Sequence, residues 1–121
     1  MRILIADDND RVRRGIRAIL KNENGFEVCG EAADGAQALD KTRKLAPDLV
    51  LLDVHMPSSD GFEVAHRMRL EFPKVKVLIM SQSEAGMMLP SALKCGASGC
   101  IDKTYLATEL ASRIRTLLSR D

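Results

Sequence analysis

Short, wholly apolar runs alternate along the chain with segments whose apolar residues recur every three or four positions. Ile3-Leu4-Ile5-Ala6 and Leu49-Val50-Leu51-Leu52 carry no polar interruption. That is the pattern of strands covered on both faces, as in a parallel sheet. Val75-Lys76-Val77-Leu78-Ile79-Met80 reads as a further strand and Gly99-Cys100-Ile101 as a short one. Phe26 to Ala32 alternates apolar and polar residues, so it is expected at an edge with one wet face. Between these runs, Val12, Ile16, Ile19 and Leu20 predict a first helix. Ala38, Leu39, Thr42 and Leu45 predict a second, and Phe62, Ala65, Met68 and Phe72 a third, each with an inward stripe. A short fourth helix is expected over 87–94, with Pro90 in its first turn. Leu106, Leu110, Ile114, Leu117 and Leu118 predict a fifth. Asn24-Gly25, Pro47, Pro73 and Gly96 mark the helix ends.

Five strands alternating with five helices through short loops is a doubly wound α/β pattern with a parallel sheet. The length of 121 residues fits a single domain, 1–121. Composition changes this picture little: 45% apolar and 29% charged residues are ordinary for a globular domain. It does narrow the function. Aromatic residues are only 3% and the net charge is +1, so neither base stacking nor phosphate tracking is favoured, and no nucleic-acid binding is expected of this chain. Met1-Arg2-Ile3-Leu4-Ile5 runs straight into a strand, and no apolar run approaches the roughly 18 residues of a membrane span. No signal peptide, no membrane association and a cytoplasmic location are therefore expected. The three cysteines, Cys29, Cys95 and Cys100, show no CxxC spacing and read as reduced thiols. Arg11, Arg13, Arg14, Arg17 and Lys21 read as the solvated face of the first helix.

The candidate chemistry lies at the carboxyl ends of the strands, which converge on one crevice in this architecture. Asp7-Asp8 follows the first strand, Asp53 ends the third, Ser81 ends the fourth and Lys103 comes just after the fifth. Singly, each has a plain reading: Asp7-Asp8 as a helix cap, Asp53 as a cap for the turn Ser58-Ser59-Asp60-Gly61, Ser81 as a loop hydroxyl, Lys103 as a solvated charge. Jointly they say more. Asp7, Asp8 and Asp53 cannot all stay ionised side by side without a cation. Hard oxygen donors suit Mg²⁺. With Lys103 and Ser81 added, the set suits a phosphoryl group: a nucleophilic carboxylate, a metal to neutralise charge, and two groups for the phosphoryl oxygens.

At these residues the chain resembles, end to end, the receiver domains of two-component response regulators. The resemblance rests on Asp7-Asp8, Asp53 in Leu-Leu-Asp-Val-His-Met-Pro, Asp60-Gly61, Ser81, and Lys103 in the run Gly96 to Lys103. It implies a flavodoxin-like sheet of order 2-1-3-4-5. It also implies that Asp53 accepts a phosphoryl group from a sensor histidine kinase or phosphotransfer protein, with Ser81 and Lys103 contacting the phosphoryl oxygens. Asp8 and Asp53 would ligate Mg²⁺ directly, Asp7 mainly through water, and His55 through its backbone carbonyl. Such a domain is a signalling switch, not a turnover enzyme. Its output or homodimer surface is expected on the fourth helix, fifth strand and fifth helix, where Met87-Met88-Leu89 cannot all face inward. Two positions depart from the family pattern: Cys100 stands where a Tyr or Phe is usual, and Gln82 where a small residue is common. Two other classes compete. A hydrolase working through an aspartyl phosphate usually has a second acid two residues after the nucleophile, where this chain has His55. A flavin carrier would need a hydroxyl- and glycine-rich phosphate loop where this chain has Asp7-Asp8-Asn9-Asp10.

Overall fold

The computed structural model describes residues 1–56, 59–82 and 96–119. Five strands form one sheet: β1 (Arg2–Ala6), β2 (Glu27–Ala32), β3 (Leu49–Asp53), β4 (Lys76–Ser81) and β5 (Gly99–Asp102). All pairings are parallel and the order is β2-β1-β3-β4-β5, as the resemblance implies. Four α-helices are described: α1 (Asp10–Lys21), α2 (Gly35–Leu45), α3 (Gly61–Glu71) and α4 (Leu106–Leu118), the last entered through a 3-10 turn at Lys103–Tyr105. The helix expected over 87–94 lies outside the described residues, so α4 is the fifth expected helix.

Alternate side chains of a strand point to opposite faces, and β3 uses both. Val50 and Leu52 join Leu4, Ala6, Val77 and Ile79 beneath α2 and α3. Leu49 and Leu51 join Ile3, Ile5, Leu78 and Met80 beneath α1 and α4. All four β3 residues from Leu49 to Leu52 are fully buried, each contributing about 1.5–3 kcal/mol through the hydrophobic effect.

The third helix turns differently from the expectation. Its buried face is Gly61, Val64, Ala65 and Met68, while Phe62 and Phe72 are only half-buried at its flanks. Gly61 sets this rotation. A Cβ there would lie 2.5 Å from the Val54 Cα and 3.0 Å from the carbonyl oxygens of Asp53 and Val54. These are backbone atoms of the strand end, so they cannot swing aside as a side chain would. Gly61→Ala is expected to lower stability by about 1–3 kcal/mol through overpacking. A urea midpoint equal to wild type would contradict this.

The β2 strand also departs from simple alternation. Val28 pairs with Ile3, but the next β1 residue, Leu4, pairs with Gly30, so Cys29 is an extra residue forming a bulge. The bulge resets which side chains face which way. Phe26 and Val28 pack on the α1 side, Gly30 and Ala32 on the α2 side, and Glu31 comes round to face α1.

The Asp and Asn residues after the strands divide between capping and other work. Asn9 caps α1 by accepting from the amides of Arg11 and Val12, Asp34 caps α2, and Asp60 caps α3. Neither Asp7, Asp8 nor Asp53 is used as a helix cap.

Candidate functional site

The parallel register brings four strand ends together. Asp7 follows β1, Asp53 and Ser81 are the last residues of β3 and β4, and Lys103 follows β5, whose Asp102 pairs with Ser81. Asp7 and Ser81 are fully buried and Asp53 is 3% exposed, whereas Asp8 is exposed.

Asp7 is held on every side. Its amide donates to the Ala32 carbonyl at 3.0 Å, and its Oδ1 accepts from the Asn9 amide at 2.8 Å. Its carbonyl oxygen accepts from the Arg13 guanidinium. Its Oδ2 is buried without a well-directed hydrogen bond and has the Lys103 Nζ as ionic neighbour at 2.8 Å. Lys103 Nζ also lies 3.3 Å from Asp53 Oδ2, while Asp53 Oδ1 accepts from the His55 amide at 3.1 Å.

Electrostatics follow from this crowding. Burial raises the Asp53 pKa, with the Asp7 charge adding to the rise; the His55 amide and Lys103 oppose it. Burial works to lower the Lys103 pKa, but its contacts with Asp7 and Asp53 outweigh that and raise it. Ligand atoms of Asp7, Asp8 and Asp53 lie within 4.8 Å of one another. Three carboxylates against one ammonium leave two negative charges, the complement of a divalent cation. The donors are all hard oxygens, and one of them, Asp7 Oδ2, lacks a directed partner. The residues present therefore fit Mg²⁺.

Asp7, Asp8, Asp53 and Lys103 thus form one cluster. His55 contributes its amide to it, and its exposed side chain lines a crevice with Asp8, Met56, Asp60 and Phe62. Ser81 is placed one strand away by register. His66 is exposed on α3, and Tyr105 is 51% exposed in the 3-10 turn.

One expectation fails here. Arg13 is not on a solvated face: its side chain is 16% exposed and bonded to the Asp7 carbonyl, to Glu31 Oε1 at 2.9 Å and to Asp10 at 3.3 Å. Arg17 completes the group with its own ion pair to Glu31. Arg13 and Asp10 stand at helical (i,i+3) spacing, a signal present in the sequence. The Glu31 partnership left none, because it depends on the bulge.

A family model described as "Response regulator receiver domain" matches residues 3–115. The chain belongs to the response regulator receiver domains. This receiver domain is 34% identical over 119 residues to the response regulator GacA of Pseudomonas syringae pv. syringae, covering 98% of this chain and 56% of that protein. It therefore spans about half the length of that curated relative. Among solved structures, the signal receiver domain of NarL from Mycobacterium tuberculosis superposes with a TM-score of 0.88 at 32% identity, covering 98% of this chain and 97% of that one. The isolated receiver domain of RcsB from Salmonella enterica serovar Typhimurium, solved in the presence of phosphomimetic BeF3⁻, gives 0.88 at 25% identity, covering 97% and 87%. Among its described residues, the receiver domain has no helix long and apolar enough to cross a membrane. Cys100 is buried in β5, its thiol pKa raised chiefly by that burial, and the Arg113 guanidinium donates to its carbonyl at 3.0 Å. The expected Met87-Met88-Leu89 surface lies outside the described residues.

Proposed function

We propose that this receiver domain is a phosphorylatable switch whose acceptor is Asp53. The observation that carries the reading is the Lys103 ammonium set between the buried Asp7 and Asp53 carboxylates, with Asp8 beside them. A structural ion pair needs one acid; this cluster has three. Family membership supports a donor in the phosphohistidine of a sensor histidine kinase or phosphotransfer protein.

An oxygen of Asp53 attacks phosphorus, a P–O bond forms, and the P–N bond breaks with its electron pair leaving on the imidazole nitrogen. Asp7, Asp8, Asp53 and the His55 backbone carbonyl would hold Mg²⁺, which supplies positive charge for the transferring oxygens. Lys103 adds a point charge already directed at Asp53, and the Ser81 hydroxyl is the second group for the phosphoryl oxygens. The His55 amide holds Asp53 Oδ1 and so limits rotation of the carboxylate. The acyl phosphate carries about −1.5 to −2 of charge where the carboxylate carried one, and it adds three phosphoryl oxygens at a buried point, a change that can reach a partner surface. Cys29 is a free thiol, which suits a reducing, cytoplasmic setting.

The test is incubation with Mg²⁺ and a small-molecule phosphodonor, followed by intact mass. One added phosphoryl group per chain is expected, and none when Mg²⁺ is chelated. Unmodified protein would count against the acceptor reading. Continuous release of free phosphate from a phosphoester would point instead to the hydrolase.

A further inference from the structure

The acidic cluster has one weakly held member. Asp7 is fixed through its amide, its carbonyl and both carboxylate oxygens. Asp53 is fixed through His55 and Lys103. Asp8 is exposed, and its carboxylate has no hydrogen-bond or ion-pair partner among the described residues. What the backbone fixes is the position of its Cα–Cβ bond, and the peptide plane joining Asp7 to Asp8 is part of that backbone. The oxygen of that plane is the Asp7 carbonyl, and the Arg13 guanidinium holds it.

Arg13 is itself held firmly. Its Nε lies 2.9 Å from Glu31 Oε1 on β2 and its Nη2 3.3 Å from Asp10 Oδ1. Glu31 also pairs with Arg17, and its carbonyl accepts from Lys41 of α2, so it is anchored from both faces of the sheet. A planar guanidinium can serve the carbonyl and the carboxylate at once, which a lysine ammonium cannot do in the same geometry.

We infer that Arg13 is a positioning residue for the divalent cation: by clamping the Asp7 carbonyl against Glu31, it sets the Asp7–Asp8 peptide plane and aims Asp8 at the metal. This rests on the reading of Asp7, Asp8 and Asp53 as an Mg²⁺ site. Two effects of Arg13 oppose each other. Its positive charge disfavours a nearby cation, and Glu31 and Asp10, shared with Arg17 and Arg14, offset that only in part. On this inference the geometric effect outweighs the residual charge, so that removing Arg13 weakens binding. Contacts that orient metal ligands are typically worth roughly 10–100-fold in affinity.

The experiment is calorimetric titration of the chain with MgCl₂, with stability in chelator measured by urea unfolding on the same samples. Arg13→Ala is expected to bind Mg²⁺ about tenfold more weakly than wild type. Arg13→Lys keeps the charge and should recover only part of that loss. Arg14→Ala removes a neighbouring charge from the same helix and should leave affinity unchanged, since Arg14 is exposed and pairs only with Asp10 among the described residues. Should Arg13→Ala not fold, Glu31→Ala removes the acceptor that anchors the guanidinium on β2 and should weaken binding in the same direction by a smaller factor. A purely structural Arg13 would lower stability in chelator and leave Mg²⁺ affinity alone, which overturns the inference. Loss of affinity of equal size in Arg14→Ala would also overturn it, by showing a general charge effect. A wild-type chain that binds no Mg²⁺ overturns the metal site itself, and the inference with it.

Discussion

Asparagine in place of Asp53 is expected to abolish phosphoryl uptake altogether. The substitution is nearly isosteric and sits in a site 3% exposed, so the packing of β3 survives. The amide can still accept from the His55 amide through its carbonyl oxygen, preserving the contact seen at Asp53 Oδ1. What disappears is the anionic nucleophile, and with it the Asp53 half of the Lys103 ion pairing, while Asp7 keeps Lys103 paired. The variant should also be no less stable than wild type, and stabilised if anything, because one of three crowded carboxylates is gone. Loss of uptake together with retained stability therefore separates chemistry from folding. Phosphorylation of the asparagine variant at the wild-type level would move the acceptor to another residue.

Lys103→Ala should produce the largest change in stability. It leaves Asp7 and Asp53 buried with no ammonium between them. Breaking a buried ion pair by deleting one partner costs about 3–5 kcal/mol, since the remaining charge is uncompensated. Saturating Mg²⁺ should restore much of that loss, because a divalent cation replaces the missing charge within the same cluster. Urea unfolding in chelator and in Mg²⁺ reads both numbers. An identical deficit in the two conditions would mean that Lys103 acts through packing of its stem. In the Asp7→Asn/Lys103→Ala double variant the losses should fall short of additivity, as expected for groups in direct contact.

The sequence made the sheet readable because its central strand has no wet face. Leu49 to Leu52 must be covered on both sides, and only a strand between helical layers satisfies four consecutive buried apolar residues. The acidic cluster was readable for a related reason: a parallel sheet puts all its strand ends on one rim, so polar residues at those ends are neighbours wherever they lie in the chain. The rotation of α3 was less accessible. Periodicity favours the bulky Phe62 and Phe72 as inward residues, but the close approach of Gly61 to Val54 turns Val64 inward instead. Arg13 departs from the expectation because helical spacing puts it among other arginines, while its Glu31 partner is 18 residues away on a strand whose phase is shifted. A bulge has no compositional signature, so nothing in Cys29 announced that Glu31 would face α1.

That single extra residue has a bearing on how the molecule behaves in a crowded solution. The β2 strand forms one border of the sheet, and an unbroken border offers a row of amides and carbonyls on which a strand from another chain could dock. The bulge interrupts the repeat that such a strand would have to match, and the exposed Glu27 places a charge near its start. The irregularity that delivers Glu31 to Arg13 thereby also discourages open-ended growth of the sheet from one molecule into the next.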